Sequence, residues 1–328
     1  MYTYTYKFKN SCYLLTIAIP THFIKKQLFI YFVLVCIIMV NIVEKTIGNK
    51  KAYYLHQTIR TKDGYASKEK YIGSAIPENI DNIRFDFFLD LVSSKLNEID
   101  TIKEKKEKET KRMPAEIKEK ELSIFSVKFT YNTNRIEGNT LSFKDTSLLL
   151  LDNITPSVKS SRDIKETEAH QKLFLELVKK EQKITYQNLL EWHYQLFKDT
   201  KPGVAGKIRD YQVSISNTKF LPPTPIEIGP ELKDFFSWYS KNKAKLHPVV
   251  LAALCHLKLV TIHPFGDGNG RITRLIMNIV LNNYKYPLYI IDYKDRKSYY
   301  SSLEFSQIRK EDIHFLNWFI KNYFKFVK

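Results

Sequence analysis

Apolar side chains recur at helical spacing through most of the second half of the chain. Residues 145–151, 164–179, 187–197, 232–239, 249–262 and 314–326 each place them on one face at a period near 3.6, which predicts helices. The stretch 249–262 is apolar almost throughout. A further helical pattern (Ile272, Leu275, Ile276, Ile279, Val280) follows it after a short loop. Upstream the period changes. Residues 42–45, 52–55, 57–60 and 70–73 are short strand-like runs, with Gly48, Gly64 and Gly73 as turns, and predict a small β-meander over 39–78. Residues 79–122 read as a charged helical arm broken at Pro114. Residues 206–219 alternate like a short strand and run into Leu221-Pro222-Pro223-Thr224-Pro225, which ends it. The fold class is therefore mainly α, with a β-rich module ahead of a helical domain over 123–328.

The first 38 residues are Tyr-rich, then apolar, and 28–40 hold no charged or amide side chain. Three arrangements fit. Translation starting at Met39 would leave 1–38 outside the protein. A single-pass anchor through 27–43 would be short for a bilayer, with Lys25 and Lys26 before it and Glu44 after it to orient it. A buried segment is the third. A cleavable signal peptide fits poorly, because no small-residue cleavage site follows.

Net charge changes the picture little. The formal charge is +17, but Lys and Arg are spread along the chain rather than set in one stripe. The arm 103–120 mixes eight basic with five acidic residues, the pattern of a solvated helix. Acidic partners come first on this reading and nucleic acid is the lesser one. Cys12, Cys36 and Cys255 have neither metal spacing nor a disulfide framework, which points to a reducing compartment and a cytoplasmic protein.

The chemistry concentrates in 263–274, His-Pro-Phe-Gly-Asp-Gly-Asn-Gly-Arg-Ile-Thr-Arg. Close glycines free the backbone to approach a ligand, and successive N–H groups can form an anion-binding nest at the start of the next helix. Arg271 and Arg274 are three apart and share a helix face, which suits phosphate oxygens. Asp267 beside such a nest would repel phosphate unless a cation intervenes, and Mg²⁺ is the usual one. His263 has an ordinary pKa suited to general-base work. A P-loop is excluded by the absence of Gly-Lys-Ser/Thr.

This stretch resembles the Fic family signature, His-x-Phe-x-Asp/Glu-Gly-Asn-Gly-Arg-x-x-Arg, at every defined position. The resemblance covers roughly residues 123–326. It implies an all-helical Fic (Fido) core, about 184–326, that moves AMP from ATP to a Ser, Thr or Tyr hydroxyl of a target protein. His263 would take the hydroxyl proton and Asp267 would hold Mg²⁺. Gly268, Asn269 and Gly270 would form the nest, Arg271 and Arg274 would hold the β- and γ-phosphates, and Phe265 would pack beneath the loop. Tyr299 and Tyr300 resemble the aromatics on the adenine side. Gln307 stands where relatives often carry Asn. Residues 206–219 resemble the hairpin flap over the site. The target would bind near 211–219, with Ser216, Asn217, Thr218 and Lys219 toward the ligands. Related Doc kinases carry Lys at the second motif glycine; Gly270 favours nucleotidyl transfer. A homodimer is a further implication of the resemblance.

A second motif, Thr133-Asn134-Arg135-Ile136-Glu137-Gly138, is similar to the family's inhibitory helix, here near 127–139. Its Glu137 would pair with Arg274 and compete with the γ-phosphate for the same guanidinium. The expected function is an autoinhibited protein adenylyltransferase. The same fold also admits removal of AMP, or another nucleotidyl or phosphoryl transfer. A reading of another class is a partner- or DNA-binding regulator on an inactive core.

Overall fold

The computed structural model describes residues 40–328 except 49, 62, 63 and 217. The segment 1–38, most of the 27–43 anchor expectation and Asn217 thus lie outside the described residues. No helix among the described residues is long and apolar enough to cross a membrane. The chain divides into two compact units, the boundary falling between Lys95 and Leu96.

The first unit holds an antiparallel three-stranded meander, β1 (Asn41–Ile47), β2 (Lys50–Thr61) and β3 (Gly64–Gly73), in that order. Val43 pairs with Tyr54, and Leu55 with Lys70. The expectation of four short strands is corrected. Residues 52–55 and 57–60 form one continuous β2, because His56 between them carries no turn chemistry and simply pairs with Asn41 and Glu69. Tyr53 pairs with Gly73 and Tyr54 with Tyr71, so Ile72 is the extra residue of a bulge. A long helix, α1 (Ile80–Arg112), begins here and packs Ile80, Phe87, Phe88 and Val92 inward at helical spacing.

The second unit contains the remaining helices. Pro114 is the N-cap of α2 (Ala115–Ile136), so the helix break expected there occurs, and the same helix carries the end of the charged arm and the Thr133–Ile136 part of the motif, with Glu137 as its C-cap. Then come α3 (Phe143–Asp152), α4 (Ser161–Val178) and α5 (Tyr186–Phe197). Ser142 and Asp145 close a capping box on α3, and the Thr185 side chain caps α5.

The next helix, α6 (Pro225–Asn242), starts seven residues before the expected 232. The missed signal was Thr224-x-x-Glu227, a reciprocal capping box with Pro225 at the first helical position. The centre is the pair α7 (Pro248–Ile262) and α8 (Asn269–Asn283), both buried on nearly every side. A helix apolar all round must lie inside, and α7 does, against α8, α6 and the last helix. The unit ends with α9 (Arg296–Arg309), which the periodicity did not reveal, and α10 (Asp312–Val327).

No strand forms among the described residues of 206–219. The flap hairpin expected there is corrected to an irregular segment. Pro222 and Pro223 have no N–H for a ladder. Arg209 takes the carbonyls of Tyr211 and Pro223 at 2.9 and 2.6 Å, fixing the segment by side chain instead.

Candidate active site

The loop 263–268 joins the ends of the two central helices. His263 closes α7 in the left-handed region (φ 51°), its N–H still reaching the Leu259 carbonyl at 3.1 Å. Its Nδ1 lies 3.2 Å from the Val260 carbonyl. A carbonyl only accepts, so Nδ1 carries the proton and Nε2 keeps its lone pair. Burial lowers the His263 pKa against the pull of the Val260 bond and Glu137, and nearby Arg209 adds to the lowering. A neutral imidazole with Nε2 unprotonated is the form a base requires.

Arg209, buried itself, donates Nε to the His263 carbonyl at 2.9 Å, and its N–H reaches the Pro264 carbonyl at 3.0 Å. Inside the loop, Asn269 acts as a clasp. Its Oδ1 accepts from Phe265 N–H at 2.9 Å and its Nδ2 donates to Phe265 O at 2.8 Å. Its side chain is thus committed to the loop itself, and only its backbone N–H is left for the nest expected from the sequence. The orphan N–H groups of the first α8 turn are the donors that such a nest would use. Phe265, at 1 % exposure, stacks on His193 at 3.7 Å and packs beneath the loop as core, as the sequence led one to expect, rather than facing a ligand.

Two glycines are fixed by close approach. Gly268 has φ 80°, and a Cβ there would lie 2.2 Å from the Phe197 ring. At Gly270 a Cβ would lie 2.2 Å from Glu137 Oε1. The glycine thus leaves room for Glu137 over the start of α8.

Both motif arginines are engaged. Arg274, 1 % exposed, gives Nη2 to Glu137 Oε1 at 2.6 Å and Nε to Thr133 Oγ1 at 2.7 Å. Burial is the largest single influence and would loosen its proton, but Glu137 together with Tyr299 and Tyr300 outweighs it and raises the pKa. Glu137 is the C-cap of α2. Its N–H and that of Asn139 both return to the Asn134 carbonyl, and Gly138 turns the chain at φ 91°. Arg271, 3 % exposed, pairs with buried Glu166 from α4. Lys201 bridges Glu166 Oε1 at 3.0 Å and Asp267 Oδ2 at 2.5 Å. Arg271 Nη2 stands 3.6 Å from Asp267 Oδ1. Burial would raise the Asp267 pKa, yet Lys201, Arg271 and the Gly268 N–H together hold it below the usual range. Glu166 is depressed in the same way, with burial opposed by Arg271 and Lys201. A cavity of about 160 Å³ lies among Glu137, Asp163, Glu166, Lys201, Asp267 and Arg271.

The donor set can be tested against Mg²⁺. Among the described residues no cluster of three or more His, Cys, Asp or Glu forms a protein cage. One part-exposed carboxylate, Asp267, completed by phosphate oxygens and water, is a set that Mg²⁺ accepts. A cationic ammonium already rests against that carboxylate, so the position suits positive charge.

The Tyr pair splits. Tyr299 is 1 % exposed beneath Arg274, its hydroxyl 2.9 Å from His256 Nε2, and is corrected from adenine contact to core. Tyr300 is 46 % exposed, and its hydroxyl donates to Ile136 O at 3.1 Å, beside the end of α2. Of the flap residues, Ser216 is exposed, Thr218 accepts from Phe220 N–H, and Lys219 N–H donates to Glu304 at 2.7 Å. Gln307 donates to Thr261 Oγ1 at 3.3 Å.

Sequence reasoning missed Glu166, Lys201, Arg209 and His193. His193 accepts the Gly206 N–H on Nδ1 at 2.9 Å, so its Nε2 donates to the Asp267 carbonyl, also at 2.9 Å. Burial lowers its pKa to about 4, so it is a neutral post behind the loop. A signal existed for Glu166. Asp163, Glu166, Thr167 and His170 form a polar stripe at helical spacing on the buried face of α4.

Residues 183–281 match the Fic/DOC family profile. The chain is 36% identical over 178 residues to the protein adenylyltransferase Fic of Nematostella vectensis, covering 53% of this chain and 41% of that one. It is 31% identical over 257 residues to the protein adenylyltransferase Fic of Aedes aegypti, covering 77% and 48%. The chain spans about half or less of the length of these curated relatives. Among solved structures, a Fic domain containing signaling protein from Bacteroides thetaiotaomicron superposes with a TM-score of 0.64 at 25% identity, covering 71% of this chain and 94% of that one.

Proposed function

We propose, from the premise that residues 183–281 are a Fic/DOC family domain, that this chain moves AMP from ATP to a hydroxyl of a target protein. The observation that carries the reading is His263, which closes α7 at the start of the loop, with Nδ1 on the Val260 carbonyl, Nε2 unprotonated and its pKa lowered by burial. The hydroxyl oxygen attacks the α-phosphorus as its proton passes to His263 Nε2. The bond from that phosphorus to the bridging oxygen breaks, and pyrophosphate leaves with the electron pair. The first-turn N–H groups of α8 stabilise charge growing on the phosphoryl oxygens. Arg271 and Arg274 bind the outer phosphates once their carboxylate partners yield them. Asp267 would hold Mg²⁺, which as a Lewis acid offsets the charge of the phosphates. Tyr300 would face the base side of the nucleotide, its half-exposed ring beside the end of α2 supporting this, and the target would lie along residues 211–219.

Glu137 is the brake in this reading, because Arg274 cannot serve carboxylate and phosphate with the same guanidinium edge. The experiment compares wild type, Glu137→Gly, and Glu137→Gly with His263→Ala, supplied with Mg²⁺ and ATP labelled at the α- or γ-phosphate, with lysate as the source of targets. Label from the α position only, stronger in Glu137→Gly and lost in the double variant, is the expected result. Label from the γ position would sink it in favour of kinase chemistry. Removal of AMP is the second reading, favoured by the Glu137 carboxylate being 25% exposed over the same loop. It predicts that wild type strips label from protein pre-labelled by Glu137→Gly.

A further inference from the structure

We propose that Lys201 is the resident counter-cation of Asp267, so that loading a divalent metal there is an exchange in which the Lys201 ammonium withdraws onto Glu166. The inference rests on the reading of Asp267 as metal ligand, and its test does not use AMP transfer. Lys201 Nζ lies 2.5 Å from Asp267 Oδ2 and 3.0 Å from Glu166 Oε1. An ammonium shared between two carboxylates can move its charge to the second without leaving the site.

The backbone of Lys201 is fixed, so the exchange would be a movement of its side chain alone. Its N–H bonds to the Phe197 carbonyl at 2.8 Å, and its own carbonyl takes the N–H groups of Val204 and Ala205 at 3.1 and 3.0 Å. The ammonium rides over the Phe197 ring at 5.1 Å. Four groups in mutual contact alternate in charge, Asp267 and Glu166 against Lys201 and Arg271, while Asp163 and Glu137 across the same cavity stand beside Arg162 and Arg274. That set is neutral. A divalent ion entering alone would leave two surplus positive charges in a partly buried place, whereas an ion entering with phosphates would not. Lys201 therefore makes metal binding depend on nucleotide. It is a positioning residue that acts through Asp267.

The test is Mn²⁺ binding without nucleotide, read from the spectrum of the free ion by electron paramagnetic resonance, on the full chain. Lys201→Met keeps the stem over Phe197 and removes the charge. It is expected to bind Mn²⁺ at least about tenfold more tightly than wild type, as removing a unit charge a few ångströms away demands. Lys201→Arg restores a cation and returns affinity to within about threefold of wild type, a rescue that loss of packing would not show. Adding Asp267→Asn to Lys201→Met abolishes the gain. Lys201→Gln serves in place of Met should that variant melt without cooperativity. Equal or weaker Mn²⁺ binding by a folded, charge-neutral variant overturns the proposal, as does its failing to bind at all. AMP transfer that persists with unchanged Mn²⁺ affinity would remove this inference and leave the functional reading standing.

Discussion

Glu137 Oε1 and Arg274 Nη2 meet at 2.6 Å, joining the C-terminus of α2 to the second turn of α8. The guanidinium is 1 % exposed, so the carboxylate neutralises a charge that has almost no water. Glu137→Gly strands that charge. Breaking one side of a buried pair costs several kcal/mol, and partial exposure of the glutamate together with the surviving Thr133 bonds reduces this to about 1–3 kcal/mol. Urea denaturation should show that loss. Saturating ATP should then raise the melting temperature of Glu137→Gly by more than that of wild type, because phosphate supplies the missing anion. Equal shifts in the two proteins would argue that Arg274 never meets nucleotide.

Gly268 tests the loop itself. At φ 80° a side chain is strained, and its Cβ would enter the Phe197 ring at 2.2 Å. Gly268→Ala should cost at least about 2 kcal/mol, from the two effects together. Pairing it with Phe197→Leu should recover part of the loss but not the share due to φ. Full recovery in a double-mutant cycle would show that the clash alone matters.

These contacts mark what the chain disclosed and what it withheld. The loop from His263 to Arg274 was legible because its parts are contiguous. Glu137 was legible because its motif sits intact at one helix end. Lys201 lies in a turn with no periodicity, and its two carboxylate partners are 35 and 66 residues away in the chain, so nothing local announced it. Tyr299 and Tyr300 were read as one pair, yet neighbours on a helix point about 100° apart. One is therefore buried under Arg274 and the other half-exposed. The flap alternation was real but had no partner strand, and Arg209 satisfied its carbonyls instead.

Arg209 carries an expectation of its own. Four of its groups, including the backbone N–H, reach the carbonyls of His263, Pro264, Tyr211 and Pro223. It thus ties the base's own peptide to the segment over the site. Lys keeps the charge but cannot present three forked donors at these angles. Arg209→Lys should lower kcat for AMP transfer by about tenfold or more, since small misplacement of a base is costly. Stability should fall by about 1–3 kcal/mol for the orphaned buried carbonyls. A kcat unchanged alongside that loss would confine Arg209 to stability.

His170 and His256 are two of the buried histidines that shape the acid limb of stability. Both are fully buried, with Thr130 and Tyr299 as partners, and burial holds both pKa values well below 6.5. In the unfolded chain they protonate near 6.5. Below that pH the unfolded state binds more protons, so stability falls as pH falls, by up to about 1.4 kcal/mol per unit for each histidine. Above pH 7 the contribution is level. His170→Gln should flatten the slope of unfolding free energy between pH 6 and 5 by about that amount. An unchanged slope would mean that His170 is already charged in the folded protein.

The same sign applies to His263 in its proposed role as base. Its folded pKa lies below 6.5 because burial outweighs the Val260 bond and the nearby carboxylates. A base must be unprotonated, so kcat/KM of Glu137→Gly should be level above about pH 7 and fall tenfold per unit only below the lowered pKa. Removing Glu137 takes away an anion that favours the imidazolium, which moves this acid limb further down. Any AMP transfer by the wild type should therefore be lost at a higher pH than that of Glu137→Gly. A limb that lies above pH 6.5 in both proteins would show that some group other than His263, or its charged form, controls the step.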